Sequence, residues 1–331
     1  MNKLTRIGFM CLIFLFSAVF ITSCGPTRIK LYPDAEDPLL EVTLQGNDYE
    51  KIAVIPITGF ISSMPQDSFM HSKPGTVQEF KAQLTLAEKD QDVCAVILKI
   101  NSPGGTATAS DIMYNELIQF KKRCGKKVIA IMMDVAASGG YYVALPADII
   151  IAHPTTITGS VGVVMFNLQL KELMKKIGVD MQVSKSGDNK DMGSPFRKPS
   201  HRETELLHDM TKQLGDQFLS LVKKHRHPDT RQFKEISSAR IFSAIDAKDM
   251  NLVDQIGYIS DAIKAAKIIA RLPQNPRVIM YRRVTYPNDN LYNNLSTQIS
   301  QKNLSLINVE LPGHLANLDD GFYYLWTPGL K

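Results

Sequence analysis

One stretch decides how this chain folds: Val128-Ile-Ala-Ile-Met-Met-Asp-Val-Ala-Ala-Ser-Gly-Gly-Tyr-Tyr-Val143. Its apolar part, residues 128–133, predicts a buried strand, and the residues after the glycine pair predict a short helix. Ser138 lies between them. A serine at a strand-to-helix turn exposes its Oγ beside the unpaired N–H groups of a helix start, which can hold a developing oxyanion. The segment suggests a nucleophile, but an N-cap serine in a small-residue turn fits it equally well.

The first residues indicate a targeting signal and not part of the fold. Lys3 and Arg6 precede an apolar run at 7–21, which at about 15 residues is short for a membrane span of roughly 20. The run ends in Ile21-Thr-Ser-Cys24, which resembles the lipobox of bacterial lipoproteins and implies a lipid-modified Cys24. The alternatives are an uncleaved short anchor and a plain signal peptide with an incidental cysteine. We expect a lipid-anchored protein on the extracytoplasmic face of a bacterial membrane, the periplasmic side where there are two membranes.

Composition argues against several classes of protein. The net charge is +5, and the basic residues are scattered without interleaved aromatic residues, so nucleic-acid binding is not expected. Two cysteines remain after the leader, too few for a disulfide scaffold. Cys94, inside an apolar strand pattern, is expected to be a free buried thiol, although the sequence leaves a Cys94–Cys124 disulfide open.

Strand and helix patterns alternate and predict an α/β fold. We expect a signal peptide at 1–24, a tether at 25–50, a domain at 51–271 and a C-terminal extension at 272–331. Residues 179–185 have the pattern of a strand, whereas residues 185–199 are polar and predict an exposed loop. The extension has weak periodicity, which fits either a rim arm or a tail that reaches the site around Ser138.

Several segments match the motifs of one known family in order. They are Ile52-Ala-Val-Ile-Pro-Ile-Thr-Gly59, Val96-Ile-Leu-Lys-Ile-Asn-Ser-Pro-Gly-Gly105, Ala136-Ala-Ser-Gly-Gly-Tyr-Tyr142, Lys185-Ser-Gly-Asp-Asn-Lys-Asp-Met-Gly-Ser-Pro195, Ala239-Arg-Ile-Phe242 and Ala247-Lys-Asp-Met-Asn-Leu-Val-Asp-Gln-Ile-Gly257. Together they resemble the signal peptide peptidase A family of serine peptidases in its half-length form. The resemblance covers about residues 51–271 and implies the ClpP/crotonase fold of repeated ββα units, followed by C-terminal helices.

The resemblance implies a serine–lysine dyad, with Ser138 as nucleophile and Lys190 as general base, and neither a cofactor nor a metal. A serine hydroxyl is a weak nucleophile until a base takes its proton. A lysine serves as that base near neutral pH only when desolvation lowers its pKa. From its polar loop alone, Lys190 would be interpreted as a solvated charge. It must therefore be desolvated by the rest of the fold or by a neighbouring subunit.

Other positions have supporting roles under the same resemblance. The N–H of Gly139, with that of Gly104 or Gly105, is expected to form an oxyanion hole, because glycine lets a substrate carbonyl approach the backbone closely. A tight turn after a proline is the alternative for Gly104 and Gly105. Ser160 either orients Lys190 or is an ordinary turn serine. Asp191 receives no role, because a free carboxylate beside Lys190 would favour the protonated lysine.

Three other interpretations stay open from the sequence. His153 follows a strand and would suit a ClpP-like Ser-His-Asp triad, although it lies outside the matched motifs. A non-catalytic membrane scaffold of the same fold is the second alternative. A crotonase acting on acyl-CoA is the third, and the leader argues against it.

Partners follow from the resemblance alone. Family members degrade signal peptides left in the membrane and other exposed chains. Half-length members assemble as homo-oligomeric rings or domes in which the serine and the lysine of one site come from adjacent subunits. We therefore expect peptide substrates, a membrane anchor and shared active sites.

Overall fold

The architecture is described by a computed structural model that covers residues 37–67, 72–283, 286, 288–293 and 321–327. The predicted leader, with Cys24, and residues 25–36 of the predicted tether lie outside the described residues. The strands are β1 (Leu40–Gln45), β2 (Lys51–Thr58), β3 (Gln66–Asp67), β4 (Ser72–Lys73), β5 (Val93–Ser102), β6 (Gly104–Thr106), β7 (Lys127–Ala137), β8 (Ile149–Ala152), β9 (Ile157–Gly159), β10 (Val164–Phe166), β11 (Ile241–Ser243), β12 (Gln255–Ile256), β13 (Arg277–Arg282) and β14 (Gly321–Leu325). The helices are α1 (Thr76–Lys89), α2 (Ala107–Cys124), α3 (Gly139–Ala144), α4 (Lys171–Ile177), α5 (His201–Arg226), α6 (Thr230–Ile236), α7 (Ala244–Asp249) and α8 (Ile259–Ile269).

A mostly parallel sheet forms the centre of the described chain, in the order β1-β13-β2-β5-β7-β8-β12. β1 is the edge strand and is antiparallel to β13. β9 pairs with the carboxyl-terminal end of β7 and with β11. The long strands β2, β5 and β7 are almost continuously apolar because helices cover both faces of the sheet. One face packs on α1, α2, α3 and α5, and the other packs on α8. The predicted α/β fold is confirmed.

The carboxyl ends of the central strands bring the sequence motifs together. β5 pairs with β7 along most of its length, so that the Ser102 end of β5 lies beside Ala136. Each strand then turns into a helix, α2 after Thr106 and α3 after Ser138. The glycine motif and the serine motif, far apart in sequence, therefore meet at one edge of the sheet.

A second, small sheet lies at that same edge, in the order β10-β14-β6. β14 comes from the predicted C-terminal extension and runs antiparallel to both neighbours. The extension also supplies β13, which pairs with β1 from the predicted tether. Both flanking segments thus contribute strands, and the tail reaches the region of Ser138.

One predicted element is wrong. Residues 179–185 do not form a strand, and none of the described strands pairs with them to supply hydrogen bonds. Their apolar side chains, Val179, Met181 and Val183, are about half exposed.

Two further facts concern the cysteines and the helices. Cys94 and Cys124 are free thiols, each partly buried. Within the described ranges, none of the helices combines the length and the apolarity needed to cross a membrane.

Candidate active site

Ser138 occupies a strained turn between β7 and α3. It has φ 51° and ψ −115°, and its N–H donates to Gly159 O at 2.7 Å. A non-glycine residue in this conformation costs about 1–3 kcal/mol and persists only where the surrounding structure holds it. The strand-to-helix turn expected from the sequence is present, with Gly139 as the first residue of the helix.

The side chain of Ser138 does not cap the helix. Ser138 is 1% exposed, and its Oγ has no hydrogen-bond partner among the described residues. A capping serine would accept a hydrogen bond from an N–H of the first helical turn, and no such bond forms here. A buried hydroxyl without a partner costs about 1–3 kcal/mol. This hydroxyl therefore does not stabilise the helix start and is free to meet a base supplied from elsewhere.

The Gly104–Gly105 turn lies against the start of α3. Gly104 has φ 103°, and a Cβ atom at this position would be 2.7 Å from Gly139 N. A Cβ at Gly105 would be 1.9 Å from Ile61 O, because Ile61 bridges the turn from the other side. Ser102 Oγ accepts a hydrogen bond from Gly104 N–H at 3.1 Å and fixes the turn. Only glycine fits at either position, because the backbone of Gly104 approaches Gly139 closely and that of Gly105 approaches Ile61.

A carbonyl of the tail occupies the space beside these glycines. In the antiparallel pair of β14 and β6, Tyr324 lies opposite Gly105. Trp326 N–H donates to Pro103 O at 2.9 Å, and because hydrogen-bonded pairs alternate along such a ladder, Tyr324 and Gly105 form the next bonded pair. Tyr324 O would be 2.0 Å from a Cβ at Gly104 and 3.0 Å from one at Gly139. The three glycines expected to form an oxyanion hole thus surround one peptide carbonyl.

The side chain of Tyr324 fills an aromatic pocket. Its ring stacks on Tyr142 with centroids 4.9 Å apart and contacts Phe218 at 5.0 Å. Its hydroxyl donates to Leu214 O at 3.0 Å. Tyr142 is itself fixed by a 2.7 Å hydrogen bond to the carboxylate of Asp111. An aromatic side chain next to the glycine turn is therefore held by rings and by one hydrogen-bond acceptor.

Comparison with known proteins identifies the family of this chain. Peptidase family S49 matches residues 120–272. A protein of Enterococcus faecium named "Putative signal peptide peptidase SppA" is 33% identical over 77% of this chain and 74% of its own length. The chain belongs to peptidase family S49. The resemblance to the signal peptide peptidase A family is thereby confirmed, and the chain is a serine peptidase.

Two longer relatives match over part of their length. Protease 4 of Haemophilus influenzae is 34% identical over 73% of this chain, which spans 38% of that protein. The chloroplastic serine protease SPPA of Arabidopsis thaliana is 32% identical over 70% of this chain and 34% of its own length. Among solved structures, a point mutant of ClpP1 from Listeria monocytogenes is similar with a TM-score of 0.41 and 16% identity, over 65% of this chain and 95% of the other.

Lys190 makes no hydrogen bond to Ser138 within this S49 chain. It is exposed, on the loop between α4 and α5, and its backbone N–H donates to Gly187 O at 3.1 Å. Because Ser138 Oγ has no partner among the described residues, the two members of the expected dyad are not hydrogen-bonded in a single copy. The single chain therefore brings Ser138 together with the glycines but not with Lys190.

Ser160 and His153 take other positions. Ser160 is in a left-handed turn with φ 51° directly after Gly159, and its N–H donates to Arg240 O at 2.9 Å. His153 shares a 2.8 Å hydrogen bond with Thr155 through Nδ1 and meets the ring of Tyr258 edge-on. Its ring makes no hydrogen bond to Ser138, which a Ser-His-Asp triad requires.

Two residues of the pocket are missed by sequence reasoning. The helical pattern places Phe218 only on the buried face of α5, and Tyr324 lies in the extension, whose weak periodicity indicates no role. The available signal for β14 is its run of β-favouring residues, Gly321-Phe-Tyr-Tyr-Leu325. Such a run predicts a strand but not its partner.

Proposed function

We propose that this chain is a membrane-anchored endopeptidase that cleaves extended peptides with a Ser138–Lys190 dyad. The position of β14 carries the proposal: a peptide carbonyl, that of Tyr324, lies beside Gly104, Gly105 and Gly139. Gly139 directly follows Ser138, whose hydroxyl has no hydrogen-bond partner among the described residues. A substrate that pairs with β6 and β10 in the same way would present its scissile carbonyl there. Pairing along the backbone suits many sequences, because main-chain hydrogen bonds do not read side chains.

The chemistry follows from these groups. Ser138 Oγ attacks the carbonyl carbon while the neutral amine of Lys190 takes its proton. The negative charge that develops on the carbonyl oxygen is held by backbone N–H groups of the glycine motifs. Lys190 then gives the proton to the leaving amine, and the C–N bond breaks to leave an acyl-serine. Water, deprotonated by the same lysine, attacks the acyl-serine and releases the acid and the free serine.

Lys190 of this site comes, in our proposal, from a second copy of the chain. Three observations support this: Ser138 is buried without a partner among the described residues, Lys190 is exposed, and the segment that leads to Lys190 carries exposed apolar side chains. Those side chains are Leu168, Leu173, Ile177, Val179, Met181 and Val183. Packing against a second copy would bury them and would also remove water from the lysine, which lowers the pKa of an amine.

Cleaved signal peptides are the substrates we propose. The name of the Enterococcus faecium relative supports this choice, and the pocket around Tyr324 suits the apolar segments of signal peptides. A lipid on Cys24 would hold the enzyme at the extracytoplasmic face of a bacterial membrane, where such peptides remain. Replacing Cys24 by Ser is expected to move the protein from the membrane fraction to the soluble fraction, and an unchanged distribution would refute the anchor.

Subunit mixing tests the shared dyad. Purified Ser138→Ala and Lys190→Ala variants are each expected to be inactive on a fluorogenic peptide, whereas Lys198→Ala, on the same exposed loop, retains activity. Subunits of the two inactive variants, dissociated and reassembled together, are expected to recover part of the activity, because some sites then combine an intact serine with an intact lysine. Full activity of Lys190→Ala would end the dyad. If verified hetero-oligomers of the two variants are inactive, the proposal that adjacent subunits share one active site is refuted.

A further inference from the structure

An ion cluster holds the residue that follows Lys190. The carboxylate of Asp191 accepts hydrogen bonds from Arg197 Nε at 2.7 Å, from Arg197 Nη2 at 2.8 Å and from Lys185 Nζ at 2.8 Å. The side chain of Asp191 is only 14% exposed, although Lys190 beside it is exposed. These hydrogen bonds hold the pKa of Asp191 far below its usual range, mainly through Arg197 and then through Lys185. Asp191 is therefore a carboxylate that is fully engaged by two cations.

Arg197 connects this carboxylate to a long helix. Its guanidinium also donates to both oxygens of Glu203, with Nη1 2.8 Å from Oε2. Glu203 is 2% exposed and accepts a further hydrogen bond from Ser200 N–H at 2.7 Å, in the capping box that begins α5. The hydrogen bonds from Arg197, and next from Ser200, lower the pKa of Glu203 to about 2. The loop is thus fastened to the first turn of a 26-residue helix.

Few other hydrogen bonds fix this loop to the described part of the chain. Leu170 N–H donates to Pro195 O at 2.6 Å, and the remaining backbone bonds are local turns, such as Met192 N–H to Asn189 O at 3.1 Å. A bidentate arginine fork has a defined geometry, which a point charge lacks. Arg197 therefore supplies the main directional restraint between the loop that carries Lys190 and the rest of the chain.

The cluster also balances charge. The groups that face Asp191 are Lys185 and Arg197 from its own loop and, through Arg197, Glu203 from α5, so that two cations meet two carboxylates. Without Arg197, the carboxylate of Asp191 would be only partly compensated, one residue away from Lys190. A free carboxylate at that distance favours the ammonium form of a lysine, which cannot act as a base.

We propose that Arg197 is a positioning residue for catalysis, which keeps Asp191 bound to α5 and away from Lys190 so that Lys190 can lose its proton. This inference rests on the proposed role of Lys190. It also explains how an acidic residue can directly follow a general base without disabling it.

The pH dependence of kcat/KM in the assembled enzyme tests the proposal. For Arg197→Gln we expect the midpoint of the acidic limb to move up by about 1 pH unit, and activity below that midpoint to fall roughly tenfold. The double variant Arg197→Gln/Asp191→Asn is expected to return the midpoint to its original pH, since the free carboxylate is gone while Lys185 stays in place. Arg202→Gln is the matched control, because Arg202 is exposed and pairs only with Glu205 at 3.5 Å among the described residues.

Several results would overturn it. A merely structural role predicts that Arg197→Gln loses activity equally at every pH, with an unmoved midpoint that Asp191→Asn does not affect. If Arg197→Gln does not fold, Arg197→Lys keeps the charge beside Asp191 but loses the fork to Glu203. Its kcat/KM should fall at an unchanged midpoint, and full activity would refute the positioning role. An inactive Lys190→Ala with an unmoved Arg197→Gln midpoint refutes this inference alone, whereas an active Lys190→Ala refutes the dyad and this inference together.

Discussion

Replacing Gly104 by Ala tests the carbonyl site with one methyl group. The new Cβ would lie 2.0 Å from Tyr324 O and 2.7 Å from Gly139 N, whereas ordinary van der Waals contact begins at 3.4 Å. The methyl would therefore overlap the tail carbonyl by more than 1 Å, and a substrate carbonyl bound in the same place would meet the same obstacle. A misplacement of about 1 Å costs about 100-fold in rate. We expect kcat/KM to fall at least 100-fold.

Gly125→Ala is the matched control. Gly125 also has a positive φ, 68°, but nothing lies within 4 Å of a Cβ there among the described residues. Gly125→Ala carries the left-handed backbone cost of about 1–2 kcal/mol, so thermal unfolding should report a stability loss of this order for it with activity unchanged. Kinetics on a fluorogenic peptide, measured beside thermal unfolding, separate the two effects. If Gly104→Ala keeps wild-type kcat/KM, the glycine turn does not bind the reacting carbonyl.

Two further perturbations concern the tail and the α5 helix. Tyr324→Ala removes ring contacts worth about 3–5 kcal/mol, so β14 should leave β6 and β10. We expect faster hydrogen exchange in those two strands and higher activity at low substrate concentration. Unchanged hydrogen exchange and unchanged activity would contradict the placement of β14. His225 is partly buried against Tyr114, and burial, followed by nearby cations such as Lys224, lowers its pKa from 6.5 to about 4. The unfolded chain then binds the proton more readily, so stability should fall as the pH drops from about 6.5 to about 4, and His225→Gln should flatten this dependence in urea titrations; an identical slope in the variant would exclude His225 as its source.

Local patterns in the sequence are sufficient to predict the strand-to-helix turn at Ser138 and the small-residue turn at Gly104. In both cases an apolar run ends in residues whose conformational preferences define the turn. The α/β class follows from the same alternation. The sequence could not predict that the Ser138 hydroxyl has no hydrogen-bond partner among the described residues, because capping and catalytic serines share the same local sequence.

The sequence could not predict which distant strands pair with each other. β14 lies beside β6 although more than 200 residues separate Tyr324 from Gly105, and no periodicity within a strand identifies its partner. The strand predicted at residues 179–185 is absent for the converse reason, since a strand needs a neighbour and none of the described strands pairs with this segment. Lys190 shows the same limit: its polar loop predicted exposure, which the structure shows, while its role as a base comes from the family resemblance and remains a proposal.

The central claim is that Ser138 is the nucleophile, activated by Lys190. Treating the assembled enzyme with a fluorophosphonate and mapping the modified residue by mass spectrometry tests it most directly. We expect one stoichiometric label on Ser138, slow labelling in Lys190→Ala because the hydroxyl has lost its base, and none at that position in Ser138→Ala. A label on a different serine, or labelling of Ser138 at an equal rate without Lys190, would contradict the account.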